Sequence, residues 1–170
     1  AELTVERRHD VCRQCHSRSG QSLKPAFTFR PGEKLSEYIG LSLDAEDAPG
    51  QTGVHTANQF ARLRTSKCFK KSPEMSCIDC HNPHRNEREN LAVFSERCQK
   101  CHPVKDCKVA AAHPEKLSRN CIDCHMPSKF DALIVIETAT ATEKNPMRDH
   151  FISIDKPLSQ RLLKTLLSSP

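Results

Sequence analysis

Apolar residues are spread thinly along this chain, and only a few stretches repeat them with a period that predicts an element. Phe60 and Leu63, three apart, predict a helix running from about His55 to Phe69. The β-branched run from Phe130 to Thr142, with Ile134, Val135, Ile136, Thr138, Thr140 and Thr142, predicts an extended strand, and Phe151-Ile152-Ser153-Ile154 predicts a second. In the tail, Leu158, Leu162, Leu163, Leu166 and Leu167 share one side of a helix expected over 157–167. Elsewhere punctuation dominates. Pro25, Pro31-Gly32, Gly40 and the acidic stretch from Leu43 to Gly50 predict turns and solvated loop.

Composition sharpens that picture. Only 36% of the residues are hydrophobic, with no Trp, one Tyr and seven Phe, so a core made of side chains alone would be thin. Ten cysteines in 170 residues then need an explanation: disulfides, a metal or a covalent cofactor. No stretch approaches the roughly 18 to 20 apolar residues of a membrane span, so no transmembrane segment is expected. Nor does the chain open on a charged-then-apolar leader.

The cysteine spacing chooses among those explanations. Cys12-Arg13-Gln14-Cys15-His16, Cys77-Ile78-Asp79-Cys80-His81, Cys98-Gln99-Lys100-Cys101-His102 and Cys121-Ile122-Asp123-Cys124-His125 repeat one pattern four times. Two thiols separated by two residues lie on one turn, where each can add to a haem vinyl group, and the adjacent His reaches the iron. Cys-x-x-Cys pairs also make halves of zinc sites, but zinc does not require the fifth position. His is only nine of 170 residues. Finding it after all four pairs by chance has odds on the order of one in 10⁵ by composition, so the cofactor expected is haem c, four times and covalent. A thiol-redox pair needs neither the His nor the fourfold recurrence.

The formal charge of +5 first suggests a nucleic-acid partner. Four haems would add about eight propionate charges against about four from ferric porphyrin, bringing the balance to about +1. Lys and Arg are spread along the chain without interleaved aromatics, and no nucleic-acid binding is expected. Attachment of this kind follows export, so a leader is expected to have been removed ahead of Ala1, with the protein extracellular or periplasmic.

Five histidines remain outside the motifs: His9, His55, His84, His113 and His150. Four irons with four second ligands leave one to spare, so every iron can be bis-histidine. His84 lies three residues after His81 and cannot wrap around the same porphyrin, so it is expected on a different haem. His9, three residues ahead of Cys12, meets the same difficulty. Met75, Met126 and Met147 are the alternative axial donors, which this supply of histidine makes unnecessary. Cys68 and Cys107 are left over, and in an oxidising compartment they are expected to form a disulfide.

The string Ser66-Lys67-Cys68-Phe69, then Met75-Ser76-Cys77-Ile78-Asp79-Cys80-His81-Asn82-Pro83-His84, resembles a large group of exported multihaem cytochromes. So does Cys121 to Pro127, followed by Asp149-His150-Phe151-Ile152. The resemblance spans about Cys12 to Ile154 and implies that His55, His84, His113 and His150 are the distal iron ligands, with His9 surplus. Relatives include soluble carriers, cytochromes fused to helical repeats, and extracellular cytochromes that polymerise into conductive filaments. In the filaments a His from one subunit ligates a haem of the next, a role that His9 could fill.

The expected fold is mostly coil with short α-helices wrapped around a stack of four haems and little β. A single tetrahaem domain, 1–170, is expected: a first haem region over 1–40, a loop and helix over 41–76, a cluster of three haems over 77–150, and the C-terminal helix. The expected function is electron transfer through four bis-histidine haems, as a subunit of an extracellular conductive filament through self-association or as a soluble periplasmic shuttle. Partners would be redox proteins or extracellular electron acceptors. The rival is a reductase of a small nitrogen or sulfur oxide, which requires an open iron position that five spare histidines argue against; no catalytic residue is expected.

Overall fold

The computed structural model describes residues 2–17, 19–41 and 59–168. The chain divides into two compact units, Ala1–Cys77 with Ser128–Ile152, and Ile78–Pro127 with Ser153–Pro170.

The first unit begins with α1 (Val5–His16). Its sequence is highly polar, and local chemistry makes it helical. Thr4 Oγ1 caps the start by accepting the Arg7 N–H at 3.3 Å, Glu6 sits in the first turn, and Arg13 and His16 sit in the last, matching the helix dipole at both ends. Asp10, only 3% exposed, pairs with Arg7 and with Arg13 and accepts the Leu35 N–H at 3.2 Å. That contact fastens the 3₁₀ turn Leu35–Glu37 to α1 and places Leu35 at 0% exposure. The short strands β1 (Ser19–Ser22) and β2 (Ile39–Leu41) pair antiparallel. Gly20 is required there, since a Cβ would stand 2.9 Å from the Gly40 carbonyl oxygen.

The helix expected up to Phe69 is two, α2 (Gln59–Thr65) and α3 (Lys67–Lys71), divided at Ser66. Ser66 Oγ accepts the Phe69 N–H at 3.4 Å and restarts the helix as an N-cap. The His55 end of that expectation lies outside the described residues. The β-branched run forms β3 (Ser128–Glu137), which pairs antiparallel with β4 (Thr142–Arg148). A strand at Phe151–Ile154 is not observed. The partner is the polar segment ahead of it, selected by a tight turn in which Thr138 Oγ1 accepts the N–H groups of Thr140 at 3.4 Å and Ala141 at 2.9 Å. The register shifts between Phe130 and Val135, and Pro146, which has no N–H, stands opposite Phe130.

The second unit is helical. It contains α4 (Leu91–Gln99), α5 (Lys108–Ala112), α6 (Pro114–Leu117), α7 (Ile122–His125) and α8 (Lys156–Ser168), the last being the expected C-terminal helix. Asn90 caps α4 by accepting the Val93 N–H at 3.2 Å, and Pro114 opens α6, where its missing N–H costs nothing. Short helices, few short strands and abundant coil are the observed architecture. Among the described residues the buried hydrophobic side chains are Leu35, Phe60, Ala61 and Leu63 in the first unit, and Ala110, Leu117 and Ile122 in the second. No helix among them is long and apolar enough to cross a membrane.

Candidate functional site

Each of the four motifs lies on or directly beside a helical turn. Cys12, Cys15 and His16 close α1, at positions i, i+3 and i+4 of a common face. Cys77–Asp79 is a 3₁₀ turn leading into Cys80 and His81. Cys98 lies in the last turn of α4, and its carbonyl accepts the N–H of Cys101 at 3.2 Å and of His102 at 3.0 Å. Cys121 opens α7, and its carbonyl accepts the His125 N–H at 3.1 Å. His16, His81 and His102 stand exposed at the surface of their units, and His125 is half-buried.

The turns are held by neighbours that the sequence alone does not single out. Arg97, on α4, donates to the Cys80 carbonyl at 2.8 Å and clamps Glu87 through two 2.6 Å bonds. That guanidinium holds the Glu87 carboxyl down at about 2. Phe94, also on α4, meets the His81 ring edge-on at 5.3 Å. Ser95, 0% exposed, accepts the Cys121 N–H at 3.0 Å, while Gln99 reaches Cys121 Sγ at 3.9 Å. One helix therefore touches parts of the second and fourth motifs and carries the start of the third. From α8, Ser159 Oγ donates to the Cys124 carbonyl at 3.3 Å, and the Ser153 N–H donates to the His125 carbonyl at 3.1 Å. Burial pushes the His125 imidazole down and the Cys124 thiol up, and the nearby His102 lowers His125 further. In the first unit the Cys77 side chain hydrogen-bonds Cys12 and lowers its thiol to about 7, bringing together cysteines of two motifs.

The remaining histidines differ sharply. His55 lies outside the described residues. His84 is exposed in a turn where its N–H donates to Asn82 Oδ1 at 3.0 Å. His113 is half-buried at the junction of α5 and α6. His150 is half-buried, with Nδ1 2.6 Å from Gln59 Oε1. Its neighbour Asp149 is gripped by Arg62, whose Nε donates to Oδ1 at 2.9 Å and whose Nη2 donates to Oδ2. Burial opposes ionisation of Asp149, but Arg62 and the Phe151 N–H hold the carboxyl below its ordinary value. His9 is 6% exposed, packed at 5.0 Å from the Phe60 ring and 5.7 Å from Phe69, with Nε2–H donated to the Met75 carbonyl at 3.0 Å. Burial pushes its pKa down.

Cys68 lies in the first unit and Cys107 in the second. The Cys68 sulfur lies 3.3 Å from the Oγ of Ser66, the cap of its own helix, and Cys107 is exposed at the start of α5. Met75 and Met147 are half-buried and Met126 ends α7.

Among the described residues no three His, Cys, Asp or Glu side chains converge on a point, as a closed tetrahedral ion site requires. The donor set does fit a porphyrin bonded at its edge through two thioethers and ligated by the adjoining imidazole. A second observation agrees with that fit. Arg8 Nε, Arg13 Nε and Ser17 Oγ are buried polar atoms without a protein partner, all on or just after α1, the helix that carries the first motif. Two guanidinium nitrogens and a hydroxyl in such a place suit a group bearing carboxylates. No protein-family model, curated protein or solved structure matches the chain.

Proposed function

We propose that this chain is an exported c-type cytochrome that carries four covalent haems and passes electrons between redox partners. One observation carries the reading: Cys-x-x-Cys-His occurs four times, and each copy lies on or directly beside a helical turn. When bound, each haem supplies an iron that cycles between ferric and ferrous. The chain's own part is to tether through Cys12, Cys15, Cys77, Cys80, Cys98, Cys101, Cys121 and Cys124, and to ligate through His16, His81, His102 and His125. His55, His84, His113 and His150 supply the second imidazoles. Two imidazoles for each haem would leave no iron open to a small-molecule substrate.

The placement of His9 bears on the form of the carrier. A ligand to a haem in a neighbouring subunit must be exposed. His9 is buried and commits Nε2–H to Met75. This favours a diffusing carrier over a filament in which His9 crosses between subunits.

Native mass spectrometry of the exported protein tests the reading. The expected result is the polypeptide plus four haems, with low-spin spectra that cyanide and carbon monoxide leave unchanged. A polypeptide without haem mass would overturn the proposal, and a high-spin, cyanide-binding haem would turn it toward the reductase.

A further inference from the structure

Helix α2 contacts two consecutive residues of a distant segment from one face. Gln59 and Arg62 lie three positions apart, hence side by side on the helix, and they bond His150 and Asp149 respectively. Arg62 is 6% exposed, forms a forked pair with the Asp149 carboxylate, and lies 5.3 Å over the Phe151 ring. Asp149 in turn accepts the Phe151 N–H at 2.8 Å. The backbone on both sides of His150 is therefore fixed before any ligand is considered. What remains is the orientation of the ring, and the 2.6 Å contact between Nδ1 and Gln59 Oε1 settles it.

An amide oxygen has no hydrogen to give, so that bond requires the proton on Nδ1. In a neutral imidazole the other nitrogen, Nε2, then carries the lone pair. An acceptor on Nδ1–H also raises the basicity of Nε2, because the bond strengthens as electron density moves into the ring. We infer that Gln59 is the positioning residue of His150: it fixes the ring and its tautomer so that Nε2 is the iron-binding nitrogen. This rests on the proposed function and deepens it. Arg62 and Asp149 hold the segment, whereas Gln59 acts on the ligand itself. It predicts an effect of the hydrogen bond on one haem among four, separable from any loss of folding.

The test uses the assembled haem protein with Gln59→Leu and Gln59→Glu, read by haem count, low-spin electron paramagnetic resonance and stepwise potentiometry at one pH. Both variants are expected to keep four haems. Gln59→Leu removes the acceptor, so one resonance signal moves and one midpoint potential rises. Gln59→Glu supplies a stronger acceptor and moves the same potential the opposite way, which a merely structural role would not do. If Gln59→Leu fails to assemble, the Gln59→Glu shift carries the test alone. Four haems with unchanged signals and potentials in the assembled variants overturn the inference. So does His150→Ala with every haem still spectroscopically native, a result that leaves the proposed function standing. A wild-type protein without haem brings down the function itself.

Discussion

The two units of this chain are held together by different means. The first has a small core of its own: Leu35, Phe60, Ala61 and Leu63 are buried, Phe60 and Phe69 meet edge-on at 6.1 Å, and Asp10 and Asp149 are paired with arginines inside it. In the second the buried hydrophobic residues are Ala110, Leu117 and Ile122, and α4 and α8 hydrogen-bond the backbone of the motif turns. The difference teaches where the apolar mass must come from. On the proposed function, a region that organises its helices around the motif turns and buries little else would draw its apolar mass from the haems.

The largest effect follows directly. In a chain secreted without haem, hydrogen exchange should be fast over 91–125 while 5–16 and 59–71 keep measurable protection. Equal protection in both regions would erase the contrast. Next, Phe60→Ala, which opens a hole against His9, Phe69 and Arg13, should destabilise the first unit by about 3–5 kcal/mol in denaturant unfolding, while the exchange of α7 stays as it was. Ser95→Ala should cost about 1–3 kcal/mol in the second unit, because the Cys121 N–H loses its acceptor. Local exchange at Cys121 is the measurement, and no change there would mean that α4 does not hold the fourth motif. The smallest effect concerns pH. The Glu87 carboxyl titrates at about 2, below its ordinary 4.5, so its pairing with Arg97 is fully present above about 4.5 and is lost as pH falls toward 2. Exchange around Cys80 should rise over that window in the wild type and be flat in Glu87→Gln.

Much of this was legible in the residues. The Leu pattern of the tail marks α8, and the β-branched run marks β3, because both are written in local periodicity. Strand β4 was not legible: Thr-Glu-Lys-Asn-Pro-Met-Arg has no strand-like alternation, and it pairs because the Thr138 turn delivers it to β3. Helix α1 is likewise hidden, polar almost throughout and stabilised by its cap and by Asp10, whose burial depends on Leu35. The motif cysteines and histidines announce themselves by spacing. Gln59, Arg62, Ser95 and Arg97 do not, since each acts on a residue many positions away, which only the folded chain brings near. His9 could be counted as surplus from the sequence, but its aromatic enclosure could not.

Helix α4 leaves one consequence for how such a chain can change over time. Its nine residues present Phe94, Ser95, Arg97 and Cys98 at fixed angles around one axis. Inserting or deleting a single residue within it would swing everything beyond that point by about 100°, separating anchors that now work together. A change of length inside this rod would therefore disturb three motif turns at once, because α4 sets their spacing.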